Sequence, residues 1–193
     1  IDNSEYAMDS VERFTLNGET LKMETELQVV TYHANVAALL KLGEWFDYMR
    51  EEGVYDNTKI IIVSDHGWNV QQLDDYVTEG GFDIESYYSL LMVKDFGSKD
   101  FRTSEEFMTG ADVPAIAAKD AVEEPANPFT GKRLGYGDKA LKPQYIIESD
   151  AFDIGINNGN QFLPADWYAV QGDMRKPENW KLVAEDALLP LDD

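Results

Sequence analysis

The chain has no cysteine and only two histidines. The first absence excludes disulfides, thiolate zinc sites and a cysteine nucleophile, and it leaves the compartment open. Cations are scarce as well. Sixteen Lys and Arg stand against 37 Asp and Glu, a formal charge of −21. Such a surface is repelled by phosphate backbones and anionic lipid, which argues against nucleic-acid binding and against direct membrane contact. It also gathers divalent cations loosely, so weak cation uptake alone defines no site. No apolar run approaches the roughly 20 residues needed to cross a bilayer. Signal-peptide pattern, Walker A loop, Gly-x-Gly-x-x-Gly, Gly-x-Ser-x-Gly and internal repeat are all missing.

What is there suits a globular domain. At 193 residues and 44% hydrophobic content the chain can bury a real core. Residues 1–26 form a polar lead-in with a turn signal at Asn17-Gly18. Its opening at Ile1 reads as a boundary with further sequence upstream. From Leu27 to Glu52 the pattern is helical: Val29, Val36, Leu39, Leu40, Gly43, Phe46 and Met49 recur at three- and four-residue spacing. Gly53 is placed to end that helix. Thr58 to Ser64 carries the unbroken apolar, β-branched run Ile60–Val63, which predicts a strand buried on both faces. Tyr87 to Phe96 predicts a second buried strand. A short helix follows around 109–122, with Asp112 as its cap and Pro114 in its first turn. Residues 123–193 are loop-rich, with short strand-like pieces at "QYIIES" and "DWYAVQG". The tryptophans and tyrosines of "DWYAV" and "ENWKL" read as core or edge packing and not as a sugar platform.

This order predicts one α/β domain over 1–193: a mainly parallel sheet flanked by helices in 27–122, with short additional strands in the last third. In open α/β sheets, ligands bind beyond the carboxyl ends of the strands. Asp65 and His66 stand there, in Ser64-Asp65-His66-Gly67. Gly67 permits a bend that brings both side chains onto one ion. A carboxylate with a neutral imidazole suits Zn²⁺ or Mn²⁺, and Ca²⁺ less readily. The same pair also fits a plain turn, with Asp65 capping backbone N–H groups and His66 filling a gap. Spacing does not separate the two readings. His33 lies on the long helix, where a hydrogen-bonded helix-face role competes with a ligand or substrate role. Asp74, Asp75, Asp83 and Glu85 are available to complete a shell or to sit solvated in an acidic loop. Their spacing is not that of an EF-hand.

The stretch from Tyr32 to Gly67 resembles the segment of the sulfatase/alkaline-phosphatase superfamily that leads into its second metal-ligand pair. The shared parts are the helix through Arg50, then Gly53, Asp56-Asn57-Thr58, the hydrophobic strand and Ser64-Asp65-His66-Gly67. "SLLMVKD" and Asp112-Val113-Pro114 continue the likeness more faintly, with alanine where threonine usually follows the proline. The Asp-His form leans toward the lipoteichoic acid synthase and phosphoethanolamine transferase branch. The resemblance implies a partial alkaline-phosphatase-like fold and a metal-dependent hydrolase or transferase acting on sulfate or phosphate esters. Asp65 and His66 become metal ligands by this likeness, with Ser64 and Gly67 beside them. The ion would be Mn²⁺, Zn²⁺ or Ca²⁺. The location would be the outer face of the cell envelope, anchored through transmembrane segments upstream.

The family's nucleophile and remaining ligands precede this helix by a long stretch that has no counterpart here, and no threonine in Met23 to Thr31 has its context. The chain alone is therefore expected to be inert, as the C-terminal part of a longer enzyme. Two readings compete with it. One is a non-catalytic α/β binding module derived from such an enzyme. The other is an acidic surface protein that accumulates divalent cations.

Overall fold

The computed structural model describes residues 13–16, 19–71, 73–134, 139–149 and 163–188. The expected turn at Asn17-Gly18 lies outside them. The chain divides into two compact units, residues 1–72 with 89–101 and residues 73–88 with 102–193.

The first unit opens with an antiparallel pair, β1 (Arg13–Leu16) and β2 (Glu19–Lys22). Helix α1 follows over Glu26–Glu51. Thr25 caps it from an extended conformation. Its side chain accepts from Gln28 N at 3.2 Å, and the Gln28 side chain accepts from Thr25 N at 3.2 Å. This reciprocal box satisfies two of the free donors of the first turn. At the other end the Glu52 and Gly53 N–H groups return to Tyr48 and Arg50 carbonyls, and Gly53 turns the chain with φ +70. Only a residue lacking Cβ takes that conformation freely, which is why the helix stops where the sequence predicts.

The chain then runs into β3 (Ile60–Val63), which pairs with β4 (Leu91–Lys94) in register Ile60↔Lys94 through Val63↔Leu91. The pair is antiparallel, and so is every strand pairing among the described residues. The protein is thus a mixed helix-and-strand fold with small antiparallel sheets, and the expected parallel arrangement does not occur among these strands. A parallel neighbour needs a crossover, usually a helix. The described chain between β3 and β4 holds only two short 3₁₀ turns, Asp74–Tyr76 and Ile84–Tyr87.

Burial also departs from expectation. Ile60 is buried, Ile61 and Ile62 are half-buried, and Val63, Met92 and Val93 are exposed. Among the described residues the ribbon has no third strand beside it, and no packed layers cover both of its faces. Helix α1 behaves the same way. It buries Gln28, Ala37 and Met49, while Leu27, Val30, Leu39, Leu40, Trp45 and Tyr48 stay exposed.

The second unit carries the denser core. Helix α2 (Val113–Ala118) has Pro114 in its first turn, where the missing N–H costs nothing. Asp112 precedes it, but its carboxylate does not cap α2. It reaches back to accept from Thr109 N at 2.9 Å and Thr109 Oγ1 at 3.1 Å, takes Asn127 Nδ2 at 2.9 Å, and pairs with Lys139. Strands β5 (Gln144–Glu148), β6 (Ala165–Val170) and β7 (Trp180–Ala187) form an antiparallel sheet in sequence order, with an irregular register between β6 and β7. Ile84, Tyr168, Val170 and Trp180 centre the core, ringed by Tyr76, Phe82, Tyr87 and Ile146 among others. Phe82 stacks on Tyr168 at 4.0 Å between ring centres, and Trp180 Nε1 donates to Met174 O at 2.6 Å. Trp180 is core packing, as the sequence predicts. Trp167 sits half-buried and donates Nε1 to Ala187 O at 2.9 Å.

Candidate metal centre

Strand β3 ends at Val63, and the chain bends at Asp65. Ser64 keeps this end against the neighbouring strand: Ser64 N donates to Leu90 O at 3.0 Å, and Ser64 Oγ accepts from Leu90 N at 2.7 Å. Ser89 Oγ donates to Asp65 O at 3.4 Å. The position of Asp65 is therefore set by the β3–β4 ribbon, and Ser64 serves as part of that ladder.

Beyond the bend, the two expected ligands face each other. Asp65 Oδ1 accepts from His66 N at 3.0 Å, which leaves Oδ2 available. His66 Nδ1 contacts the Gly67 carbonyl oxygen. A carbonyl only accepts, so Nδ1 is the donor, and in the neutral ring Nε2 bears the lone pair. That Nε2 lies 3.7 Å from Asp65 Oδ2. Two donors on one tetrahedral zinc, each about 2.0–2.2 Å from it, are separated by roughly 3.4 Å, which is close to the separation of this pair. A backbone carbonyl on the other ring nitrogen is also the arrangement that orients ligating histidines and fixes their tautomer. The pair fits a divalent cation on donor chemistry and spacing.

The pair is open to solvent: the Asp65 side chain is 88% exposed and that of His66 57%. Trp68, also exposed, flanks it with its ring 6.1 Å from the imidazole. Among the described residues no group of three or more His, Cys, Asp or Glu side chains is placed to hold a metal ion. His33 is separate from the pair. It sits on α1 beside Tyr32, with rings 5.8 Å apart, and its Nε2 is buried without a hydrogen-bond partner. Of the acidic loop, Asp83 Oδ1 accepts from Glu85 N at 2.8 Å and Glu85 Oε1 accepts from Leu73 N at 2.7 Å. Those two carboxylates fasten their own loop in the second unit.

One positioning residue escaped the sequence reading. Gln28, buried at 6% exposure, is hydrogen-bonded through both ends of its amide. Oε1 accepts from Glu24 N at 2.6 Å as well as from Thr25 N. Nε2 donates to Val70 O at 2.9 Å and Gln71 O at 3.1 Å. It ties the segment that follows His66 to the start of α1. The Thr-x-x-Gln spacing at Thr25–Gln28 is a capping-box signal that marks this helix start; nothing in the sequence marks the long-range bonds to Val70 and Gln71.

The chain matches no family model, no curated protein and no solved structure.

Proposed function

We propose that this chain carries one part of the metal site of a metal-dependent hydrolase or transferase acting on sulfate or phosphate esters. The observation that supports it is the Asp65–His66 pair at the end of β3, with Nδ1 held by Gly67 O and Nε2 turned 3.7 Å from Oδ2. The ester chemistry rests on the resemblance of Tyr32–Gly67 to the sulfatase/alkaline-phosphatase superfamily. When bound, Mn²⁺, Zn²⁺ or Ca²⁺ would polarise the ester oxygens and favour an ionised nucleophile. Asp65 supplies negative charge to the site and His66 a neutral nitrogen ligand, while Gly67 O and Ser64 hold their orientation. The nucleophile and the other ligands belong to further chain. The exposed apolar residues of α1, β3 and β4 agree with this, because they form the kind of surface that additional strands of a larger sheet would cover. A mainly parallel sheet of alkaline-phosphatase type requires such strands.

No helix among the described residues is long and apolar enough to cross a membrane. Anchorage at the outer face of the cell envelope, on this reading, comes from elsewhere in the parent protein. In the longest natural polypeptide containing this sequence, Asp65→Ala and His66→Ala should each abolish metal-dependent turnover of p-nitrophenyl phosphate or p-nitrophenyl sulfate with circular dichroism unchanged. Unaltered turnover in Asp65→Ala overturns the reading.

A further inference from the structure

The first unit has a polar concavity at the C-terminal end of α1. It is a cleft of about 390 Å³ lined by Arg50, Gly53, Tyr55, Asp56, Ser98 and Lys99. That volume is at the lower end of small-ligand pockets. Its chemistry runs against the rest of the molecule. In a chain of charge −21, three cations gather here. The Arg50 guanidinium lies 4.1 Å from the centre of the Tyr55 ring, and Lys94 Nζ lies 4.4 Å from it. Lys99 Nζ pairs with Asp56 Oδ2 at 2.9 Å. The Asp56 carboxyl is held below its ordinary range by its hydrogen bond to Lys99 first, with charge from Lys94 and Arg50 adding to it, so all three cations bear on one spot. Asp47 accepts from Arg50 Nη1 at 2.6 Å, and Asp95 stands at the same turn, with its carbonyl taking Ser98 N.

Lys94 is committed to structure. Its ammonium donates to Tyr55 O at 2.5 Å and Thr58 O at 2.8 Å. Arg50 and Lys99 are different. Their ion pairs are half or more exposed, and exposed pairs of this kind are weak enough to exchange partners. The Tyr55 ring face holds the Arg50 guanidinium and Asp47 takes Nη1, which leaves the other donors of the fork for a ligand. The turn that carries Lys99 is fastened by Gly97 N donating to Asp56 O at 2.8 Å and Ser98 N to Asp95 O at 3.2 Å.

We propose that this cleft is a binding subsite for a phosphate or sulfate group. Arg50 engages two of its oxygens through the planar fork, Lys99 supplies a point charge released from Asp56, and the Ser98 hydroxyl donates at the rim. The subsite depends on neither Asp65 nor His66, so it stands apart from the metal reading.

The test is a titration of the full chain, followed by ¹H–¹⁵N spectra that include the Arg50 Nε–Hε signal. Inorganic phosphate, sulfate and methyl phosphate are added at constant ionic strength against sodium chloride. The expected result is a saturable shift confined to Arg50, Tyr55, Ser98 and Lys99. Arg50→Met and Lys99→Met should each raise Kd about tenfold or more, the loss of one charge-assisted contact. Lys41→Met, outside the cleft, and Asp65→Ala should leave it unchanged. Methyl phosphate binding as well as inorganic phosphate would assign the subsite to an esterified group, and a marked preference for inorganic phosphate would assign it to the free ion. Either supports the site. Shifts that fail to saturate, that chloride reproduces, that acetate reproduces at equal concentration, or that spread evenly over the other lysines and arginines overturn it.

Discussion

Replacing Asp112 by alanine is the most informative perturbation of the fold. The carboxylate is 3% exposed and answers four donors: Thr109 N, Thr109 Oγ1, Asn127 Nδ2 and Lys139 Nζ. Lys139 is 13% exposed at its side chain, so its ammonium has little water to fall back on. Breaking a buried pair by removing one partner costs about 3–5 kcal/mol. Because Lys139 keeps some access to solvent, Asp112→Ala should fall near the lower end, at about 3 kcal/mol. Lys139→Met should cost less, about 1–2 kcal/mol, because Asp112 retains its three neutral donors.

The double variant should then show a coupling of about 1–3 kcal/mol. Urea unfolding at neutral pH measures all three. Burial pushes the Asp112 carboxyl upward, but the hydrogen bonds from Lys139, Asn127 and Thr109 outweigh it and hold its pKa below the ordinary 3.8. A depressed carboxylate stabilises the fold fully above its unfolded pKa and loses that contribution as pH falls through the folded value. The neutral-pH measurement therefore sees the whole effect, and the difference between wild type and Asp112→Ala should shrink only below about pH 4. A change under about 0.5 kcal/mol at neutral pH would refute the network's structural role.

Two further outcomes follow from the same geometry. Gln28→Glu keeps an acceptor for Glu24 N and Thr25 N but removes the donor to Val70 O and Gln71 O, so it should cost about 1–3 kcal/mol and raise hydrogen exchange over residues 66–71 while the start of α1 stays protected; unchanged exchange there contradicts the tether. Tyr87, whose hydroxyl donates to Ile147 O at 3.2 Å, has its pKa pushed up to about 12 by burial first and then by Glu148 and Tyr168. A raised folded pKa means stability is intact below the unfolded value of about 10 and is lost as pH rises from there through 12. Tyr87→Phe should reduce that alkaline loss, and a profile identical to wild type would contradict the assignment.

The sequence made some features legible because they depend on local chemistry. Gly53 ends α1 since its positive φ suits a residue without Cβ, and β3 stops just before Ser64-Asp65-His66-Gly67. Pro114 marks the first turn of α2. What was not legible depends on partners distant in the chain. The run Ile60–Val63 has the composition of a doubly covered parallel strand, yet it pairs only with β4 and leaves Val63 exposed. Leu39 and Leu40 have helical core spacing but face solvent. Asp112 has the position of a helix cap and spends its oxygens on Thr109, Asn127 and Lys139 instead. Strand β7 was missed because Trp180–Ala187 is interrupted by Lys181, Glu185 and Asp186, and only its pairing with β6 makes it a strand. At the candidate site, sequence indicated Asp65 and His66 as neighbours; the contact of His66 Nδ1 with Gly67 O and the Gln28 tether are matters of geometry.

The central claim is that Asp65 and His66 act together on one cation, and the imidazole ¹⁵N spectrum of the full chain tests it most directly. Titration with Zn²⁺ at physiological salt should move His66 Nε2 in a saturable way, leave Nδ1 protonated, spare His33, and lose the effect in Asp65→Ala. A response equal at both histidines, or one that persists undiminished in Asp65→Ala, would show that the acidic surface merely gathers cations and would contradict the metal centre.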